Sequence, residues 1–447
     1  MNLRDGRVWL MVLFLLHFTV HQVSFHVVYL DSDQLVIADQ AAWMARGEFF
    51  EPFFFGQAYL LPFESYLAIP LIWLGLSPVF AVKLIAALAF YAPFAWTAWT
   101  LGKDRLWAAV CVTLLFFLLP LEFLLAGAMP RGFIVATALA WLGLRVLLRA
   151  GAQASVTSLS WAALVGFCLG SYMSVALMLP ALVLLVDDRR RALLATLGLA
   201  LGLGLFKGVG LFYRFNPGYI VHRFPKLRFS SEHFMGHLTH PQIAIAFGTL
   251  VLLMLVACLG ALAVRGPTRE WRFPFSGRHM LVALGLLTGI GVMLATNKIA
   301  DFDPGTPFFS VYRMLLPLPL LALLVISHAA QSAAPWPETV RVPAGAWIAA
   351  ALMLAQLGWQ GYLLPRDRRA LALLPSSAPT VSYEKLERQC GRLGDAIRSA
   401  GQRYYSFRGR NDALAYGCHA EFGVPVVQRD YERRTWLQEH LERAAQP

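Results

Sequence analysis

Two aspartates, Asp31 and Asp33, open a loop that follows the first apolar stretch, Val8 to Tyr29. The loop reads YLDSDQLVIADQAAWMARGEFFEPFFFGQAYLLPFESYLAIPLIWLGLSP, rich in aromatic residues and punctuated by Gly and Pro. A carboxylate held where water meets lipid can act as general base towards a hydroxyl. An enzyme works at that boundary when one substrate is lipid-borne and the other is in water. Further acids fall on the same expected face: Asp39, Glu51, Glu64 and, near the outer end of the third apolar stretch, Glu122. The bases Arg131, Lys207, Arg214, Arg223, Lys226, Arg228, Lys298 and Arg313 gather there too. Arg and Lys can stabilise a phosphate leaving group. Acid and base together suit glycosyl transfer from a sugar carried on a lipid phosphate.

Each residue has a plainer reading. Asp33 precedes a helical run and could be its N-cap, and Asp31 could be a solvated loop residue. Asp31-Ser-Asp33 has a spacing that can hold a divalent ion, so a metal is the alternative to the expected absence of any cofactor. Glu64 could cap the short helix that it begins. Glu122 and Arg131 could snorkel to the interface. The histidines His222, His233, His237 and His240 fit no zinc spacing and read as interface residues. The run LGLALGLGLFKG reads as small-residue helix packing, with no P-loop context around it.

The elements that must position these groups are membrane spans. The chain has 447 residues, 58% hydrophobic and 14% charged, against roughly 25% charged in a soluble domain. Its mean hydropathy is +0.57. This is the composition of a polytopic membrane protein. The net charge of +12 reads as attraction to anionic lipid and a positive-inside bias, since no nucleic-acid-binding motif is present. The first apolar stretch is longer than a signal-peptide core and lacks a small-residue cleavage site, so it reads as a retained anchor. Cys111, Cys168 and Cys258 lie in apolar stretches; Cys390 and Cys418 lie in the polar C-terminal part.

A span needs about 20 apolar residues, which gives about eleven spans, at 8–28, 78–100, 106–126, 132–149, 158–172, 174–187, 192–213, 241–264, 279–297, 309–327 and 343–364. Ser158–Val186 reads either as a hairpin of two short helices or as one tilted helix. The hairpin puts Lys103, Arg105, Arg145, Arg149, Arg189–Arg191, Arg265, Arg269, Arg272 and Arg341 on one side, the cytoplasm by the positive-inside rule. The N-terminus is then inside and the C-terminus outside. Tyr66–Leu76, interrupted by Pro70, reads as a re-entrant or interfacial helix. Residues 365–382 form a linker, and 383–447 alternate helical and strand-like patterns, as a small α/β domain would. Cys390 and Cys418 would flank the strand Gln402–Phe407 and could meet as a disulfide in an oxidising compartment.

The first loop resembles the polyprenyl-phosphate-sugar-dependent glycosyltransferases of the GT-C superfamily, which include protein O-mannosyltransferases and lipid A aminoarabinose transferases. Members carry an aspartate, usually followed by Glu, shortly after the first span. Here Asp33-Gln34 takes that place, with Asp39 six residues on, Met44 five further, and Gly47 after it. That register favours Asp33 over Asp31 as the catalytic group. GQAYLLPFESYLAIPLIWLGLSPVFAVKL is similar to a Gly-Gln-x-Tyr … Glu-x-Tyr-Leu … Pro-Leu … Gly-x-Ser pattern of bacterial members. SVYRMLLPLPLLALL, with Tyr312 and Arg313, resembles their Arg-Tyr-x-x-Pro segment, with Met314 where the family has Tyr. The likeness is good over residues 29–85, fair near 308–320 and weak elsewhere.

The resemblance implies an all-α membrane protein of GT-C type in a bacterial inner membrane, with a small periplasmic α/β domain after residue 382. It implies a polyprenyl-phosphate-linked sugar as donor, inverting chemistry at the periplasmic face, and a lipid, glycan or protein acceptor. Asp33 and Asp31 are the catalytic candidates. Glu64, Glu122, Arg131, Lys207, Lys298, Tyr312 and Arg313 are the substrate-binding candidates. The rival readings are a membrane transporter or lipid flippase, and a non-catalytic sugar-lipid-binding protein.

Overall fold

The computed structural model describes residues 5–21, 30, 32–49, 51–54, 59–103, 105–119, 123–124, 127, 129–149, 155–185, 188–216, 228–239, 241–262, 264–265, 271–272, 277–296, 313–332, 344–363, 382–402, 405–407, 415–424 and 426–428. Among these, helix dominates. In chain order the helices are α1 (Gly6–His21), α2 (Ser32–Ala45), α3 (Phe63–Trp73), α4 (Pro78–Gly102), α5 (Leu106–Phe117), α6 (Phe133–Leu147), α7 (Val156–Ser171), α8 (Arg189–Val209), α9 (Phe212–Phe215), α10 (Ser231–Thr239), α11 (Pro241–Leu262), α12 (Gly277–Leu294), α13 (Pro317–Ser332), α14 (Ala344–Leu363), α15 (Tyr383–Ser399) and α16 (Ala415–Phe422).

Among the described residues, four helical stretches are long and apolar enough to cross a bilayer: Pro78–Gly102, Arg189–Phe215, Gly277–Leu294 and Arg313–Ala330. The other expected spans coincide with the shorter apolar helices Gly6–His21, Leu106–Phe117, Phe133–Leu147, Val156–Ser171 and Met173–Leu185, and with apolar stretches of α11 (Phe247–Val256) and α14 (Ala349–Trp359). Apolar helices on this scale mark a membrane-embedded protein. Leucines at Leu193, Leu197, Leu201 and Leu205 run exposed along α8, as a lipid-facing stripe does.

One element departs from expectation. Residues 174–187 read as a short α-helix, but Met173–Leu185 is a 3-10 helix of 13 residues containing Pro180. A 3-10 helix rises about 2.0 Å per residue, so this piece is about 26 Å long where an α-helix would reach only about 20 Å. The tighter winding brings a short apolar segment close to the ~30 Å hydrocarbon thickness. Tyr172, in extended conformation, separates it from α7.

The bundle core is aromatic. Phe14 of α1, Phe90, Tyr91 and Phe94 of α4, and Phe116 and Phe117 of α5 are buried together, with the Phe14 and Phe116 rings 5.2 Å apart. Against this, α7 and α8 touch through backbone. A Cβ on Gly202 would stand 1.9 Å from the Ala163 carbonyl oxygen, and one on Gly198 2.6 Å from that of Leu159. The glycine run is thus a helix-packing surface, as its composition suggests.

The two ends of the bundle differ. At one, Arg145 near the end of α6 donates to Thr97 Oγ1 (2.9 Å), Thr100 Oγ1 (2.6 Å) and Ser327 Oγ (3.2 Å), joining α4, α6 and α13. Arg191 donates to the Arg149 carbonyl at 3.2 Å there. At the other end lie the start of α6, α2 and α3. Helix α3 is 11 residues long, half a span, and packs on α2: Ser65 Oγ donates to the Ile37 carbonyl (2.8 Å) and Trp73 Nε1 to that of Ala45 (2.7 Å). Trp73, Leu74 and Leu67 stay exposed beside it, as interfacial residues do.

The C-terminal residues form α15, β1 (Tyr405–Phe407), α16 and β2 (Val426–Gln428), with β1 and β2 paired in parallel, Tyr405 opposite Val426. Ser382 Oγ caps α15 by accepting from Lys385 N at 3.2 Å. The YERRTWLQEHLERA helix expected at the end of the chain and the linker up to residue 381 lie outside the described residues. The sequence gives no sign of what these elements touch. Leu386, Cys390, Ile397, Cys418 and Val424 share one buried core with Leu35, Ala38 and Ala41 of α2 and Val79 and Val82 of α4.

Cys390 and Cys418 form a disulfide with a Cα separation of 5.1 Å across 28 residues of sequence. Closing a loop of that size stabilises a fold by about 3–4 kcal/mol. Thiol titration of unfolded, unreduced protein is therefore expected to find Cys111, Cys168 and Cys258 free and the other two protected. Reactivity at all five positions would contradict the bridge. Cys390→Ser should lower the thermal midpoint.

Candidate functional site

The site grows from the junction of α3 and α6. Glu64, in the first turn of α3, has no exposed surface. A carboxylate buried this way needs a hydrogen-bond donor. It finds one at the start of α6, where Gly132 N donates to Glu64 Oε2 at 2.6 Å. The carboxylate lies where the helix dipole and unpaired N–H groups favour an acceptor. Gly132 has φ 79°, and a Cβ there would lie 2.2 Å from the Leu61 carbonyl oxygen. Only glycine can make this turn in that space. The adjoining chain is pinned as well, since Leu61 N donates to Ser171 Oγ at the end of α7 (3.1 Å).

The residue before Gly132 is Arg131. With its backbone fixed by this clamp, its side chain is 7% exposed and reaches Asp33 in the first turn of α2, Nη1 to Oδ2 at 3.3 Å. Asp33 is 48% exposed at the side chain, so one face of the carboxylate is paired and the other is open to an incoming group. Arg313, at the start of the stretch leading into α13, is partly buried beside it. Its charge interacts with Asp33, Arg131, Tyr59 and Tyr172. Tyr172 OH donates to the Arg313 carbonyl at 2.5 Å, so α7 holds the start of α13 in place. Tyr59 sits in the same field. Burial pushes its phenol pKa up, the Asp33 charge adds to that, and Arg313 opposes it. Two guanidiniums, a half-open carboxylate and two phenols thus meet at one end of the bundle.

Asp33 is within the first turn of α2 rather than at the cap position before it, and it faces Arg131. Arg131 and Arg313 come together with it, whereas Glu64 meets the group from behind, through the Gly132 turn. Lys207 is exposed in the last turn of α8. Asp31, Glu122, Lys298 and Tyr312 lie outside the described residues, as do His222 and His240. His237 is fully buried and its Nδ1 lies 2.7 Å from the Leu294 carbonyl, a packing contact between α10 and α12. Among the described residues no three His, Cys, Asp or Glu side chains gather as a metal site would require. Tyr59 and Tyr172 were not among the expected site residues. Tyr59 is the Tyr of the Gly-Gln-x-Tyr motif, so a signal for it existed; Tyr172 had none.

Glu51 and Asp39 are also buried. Tyr213 OH donates to Glu51 Oε2 at 2.6 Å, which ties the loop after α2 to α9. Asp39 pairs with His419 Nδ1 at 2.5 Å.

Neither a family model nor a curated protein matches the chain.

Two expectations follow from the clamp. Gly132→Ala forces a side chain into left-handed backbone, at a cost of about 1–2 kcal/mol, and against a carbonyl besides. Its melting temperature in detergent should fall well below wild type, and an unchanged one would refute the tight turn. Glu64 is pushed by burial from an ordinary 4.5 up to about 7, against the backbone N–H bonds that favour the charged form. The folded state therefore holds this proton more tightly than the unfolded state. The resulting stabilisation is complete below about 4.5 and is lost as pH rises through about 7. Glu64→Gln keeps an acceptor for Gly132 N and cannot ionise. The wild type should lose stability relative to Glu64→Gln between those limits; melting curves that stay parallel would contradict this.

Proposed function

We propose that the protein is a membrane glycosyltransferase that moves a sugar from polyprenyl phosphate to a hydroxyl acceptor, with inversion at the sugar. The observation that supports it best is the half-open Asp33 carboxylate paired to Arg131, with Arg313 next to both. The likeness of residues 29–85 to GT-C glycosyltransferases points the same way.

Asp33 accepts the proton of the acceptor hydroxyl as its oxygen attacks the anomeric carbon. The bond from that carbon to the phosphate oxygen breaks, and its electron pair leaves with the phosphate. Arg131 and Arg313 stabilise the charge that develops there, guanidiniums being suited to bidentate phosphate contacts. Arg131 pairs with Asp33, and a donor phosphate competes for the same guanidinium. Donor binding then frees Asp33 to accept a proton, so that base and leaving-group stabiliser are armed together. Tyr59 borders the same space and is positioned to donate to the sugar or the phosphate, while the Tyr172 hydroxyl, given to the Arg313 carbonyl, keeps Arg313 in place.

The site is read as periplasmic. Arg145, Arg149 and Arg191 gather at the other end of the bundle, and positive-inside bias makes that end cytoplasmic. The count of about eleven spans and the C-terminal elements as a periplasmic domain follow the same reasoning. The bridge between Cys390 and Cys418 fits an oxidising compartment.

Comparing cell-envelope glycans and glycolipids by mass spectrometry, with and without the protein, should reveal a missing sugar. In the same background, Asp33→Asn should fold, bind donor and lose roughly 10²–10⁴-fold in transfer. Arg313→Ala should weaken donor use, with Arg313→Lys recovering it only in part. Full transfer by Asp33→Asn would remove the proposed base. Retained donor binding without turnover in the wild type would favour a non-catalytic binder, and movement of intact lipid a flippase.

A further inference from the structure

The second carboxylate of α2, Asp39, has no part in the proposed chemistry. It lies six residues after Asp33, so the two side chains leave the helix about 120° apart. Asp39 is 1% exposed. It is held by His419 Nδ1, 2.5 Å from Oδ1, and by Trp43 Nε1, which donates to Oδ2 at 3.3 Å. The other ring nitrogen of His419, Nε2, faces Arg46 Nη2 at 3.3 Å. A guanidinium only donates, so Nε2 accepts and the ring proton sits on Nδ1, directed at Asp39. The imidazole also stacks on the Trp43 ring, with centroids 4.4 Å apart, and Arg46 lies over that ring at 4.4 Å. One histidine therefore engages Asp39, Trp43 and Arg46, three side chains of the last turns of α2 and its end.

The helix that carries His419 is itself fixed. Cys418, the preceding residue, is bridged to Cys390 of α15. Glu421 Oε1 accepts from Val79 N in the first turn of α4 (2.6 Å), and Oε2 accepts from Tyr383 OH (2.9 Å). Gly417 admits Leu35 of α2 so closely that a Cβ there would lie 2.7 Å from the leucine side chain. By contrast α2 is only 14 residues long, and Asp33 is in its first turn. Its angle about its own axis decides whether Asp33 meets Arg131.

We infer that His419 is a positioning residue for the Asp33–Arg131 site: the disulfide-clamped helix α16 latches α2 through Asp39 and sets the rotation at which Asp33 is presented. The latch rests on the proposed transferase reading only for its effect on turnover. Its effect on α2 does not depend on that reading.

The test uses the full chain in lipid nanodiscs, as wild type, His419→Ala, His419→Asn and His419→Gln. Asparagine puts its amide N–H where Nδ1 stood; glutamine puts it where Nε2 stood. Hydrogen exchange is followed by mass spectrometry on peptides covering 32–45, with 133–147 as control. The Ala and Gln variants should speed exchange in 32–45 by about tenfold or more, the loss of one charge-assisted hydrogen bond, and leave the control unchanged. The Asn variant should restore most of the protection, and Cys390→Ser should loosen 32–45 as Ala does. Where transfer can be measured, Ala should lower kcat with KM for the donor held, and Asn should recover it. Unchanged exchange in His419→Ala, equal protection by Gln and Asn, or loosening spread over the control as well would overturn the latch. Wild-type protein without any transfer would defeat the transferase reading and leave the exchange result to decide the latch. Normal transfer and exchange in His419→Ala would do the reverse.

Discussion

A carboxylate with no exposed surface sits where α3 meets α6, and the arrangement of the site depends on how it is satisfied. Glu64 could not be buried without a donor, and the donor is a backbone N–H at a helix start. That N–H belongs to a glycine in left-handed backbone, packed against the Leu61 carbonyl, so the turn has no room to drift. The residue carried by the turn is Arg131, and Arg131 meets Asp33. Four short steps thus join a half-span interfacial helix to the proposed catalytic base. A site at a membrane surface has few packed neighbours on its water side. Rigidity has to come from below, and here it comes from the ends of α3, α6, α7 and the segment leading into α13.

Further contacts to α2 come from the C-terminal elements. Helices α15 and α16 share a core with α2 and α4, and their polar contacts go to Asp39 and to the start of α4. Helix α2 is therefore held from two directions, by α3 through Ser65 and Trp73 and by α16 through His419. A helix of 14 residues is marginal by itself in water. Its order comes from these contacts, and the disulfide keeps one set of them assembled.

Part of this was readable in the sequence. Apolar runs of span length located the membrane helices, because burial in lipid demands long apolar helices whatever their partners. Asp33, Arg131 and Arg313 could be named from their types and from their positions at the ends of such runs. Two short cysteine-bearing helices flanking a strand were enough to suggest the bridge. The rest depended on contacts between remote residues. An acid beginning an apolar helix looks the same whether it faces a cavity or a backbone amide, so Glu64 read as a substrate group. His419 lies 380 residues from Asp39, and no local pattern encodes that pairing. The 3-10 winding of Met173–Leu185 was hidden because hydrophobicity alone does not distinguish helix types over a short segment.

On the proposed reading, the Asp33–Arg131–Arg313 end of the bundle receives a lipid phosphate. A photoactivatable polyprenyl-phosphate analogue, cross-linked to the purified protein in nanodiscs and mapped by mass spectrometry, tests this most directly. Labelling is expected in peptides around residues 33, 59, 131 and 313, competed by unlabelled polyprenyl phosphate and diminished in Arg131→Ala. Labelling confined to the Arg145–Arg191 end, or insensitive to competitor, would contradict it.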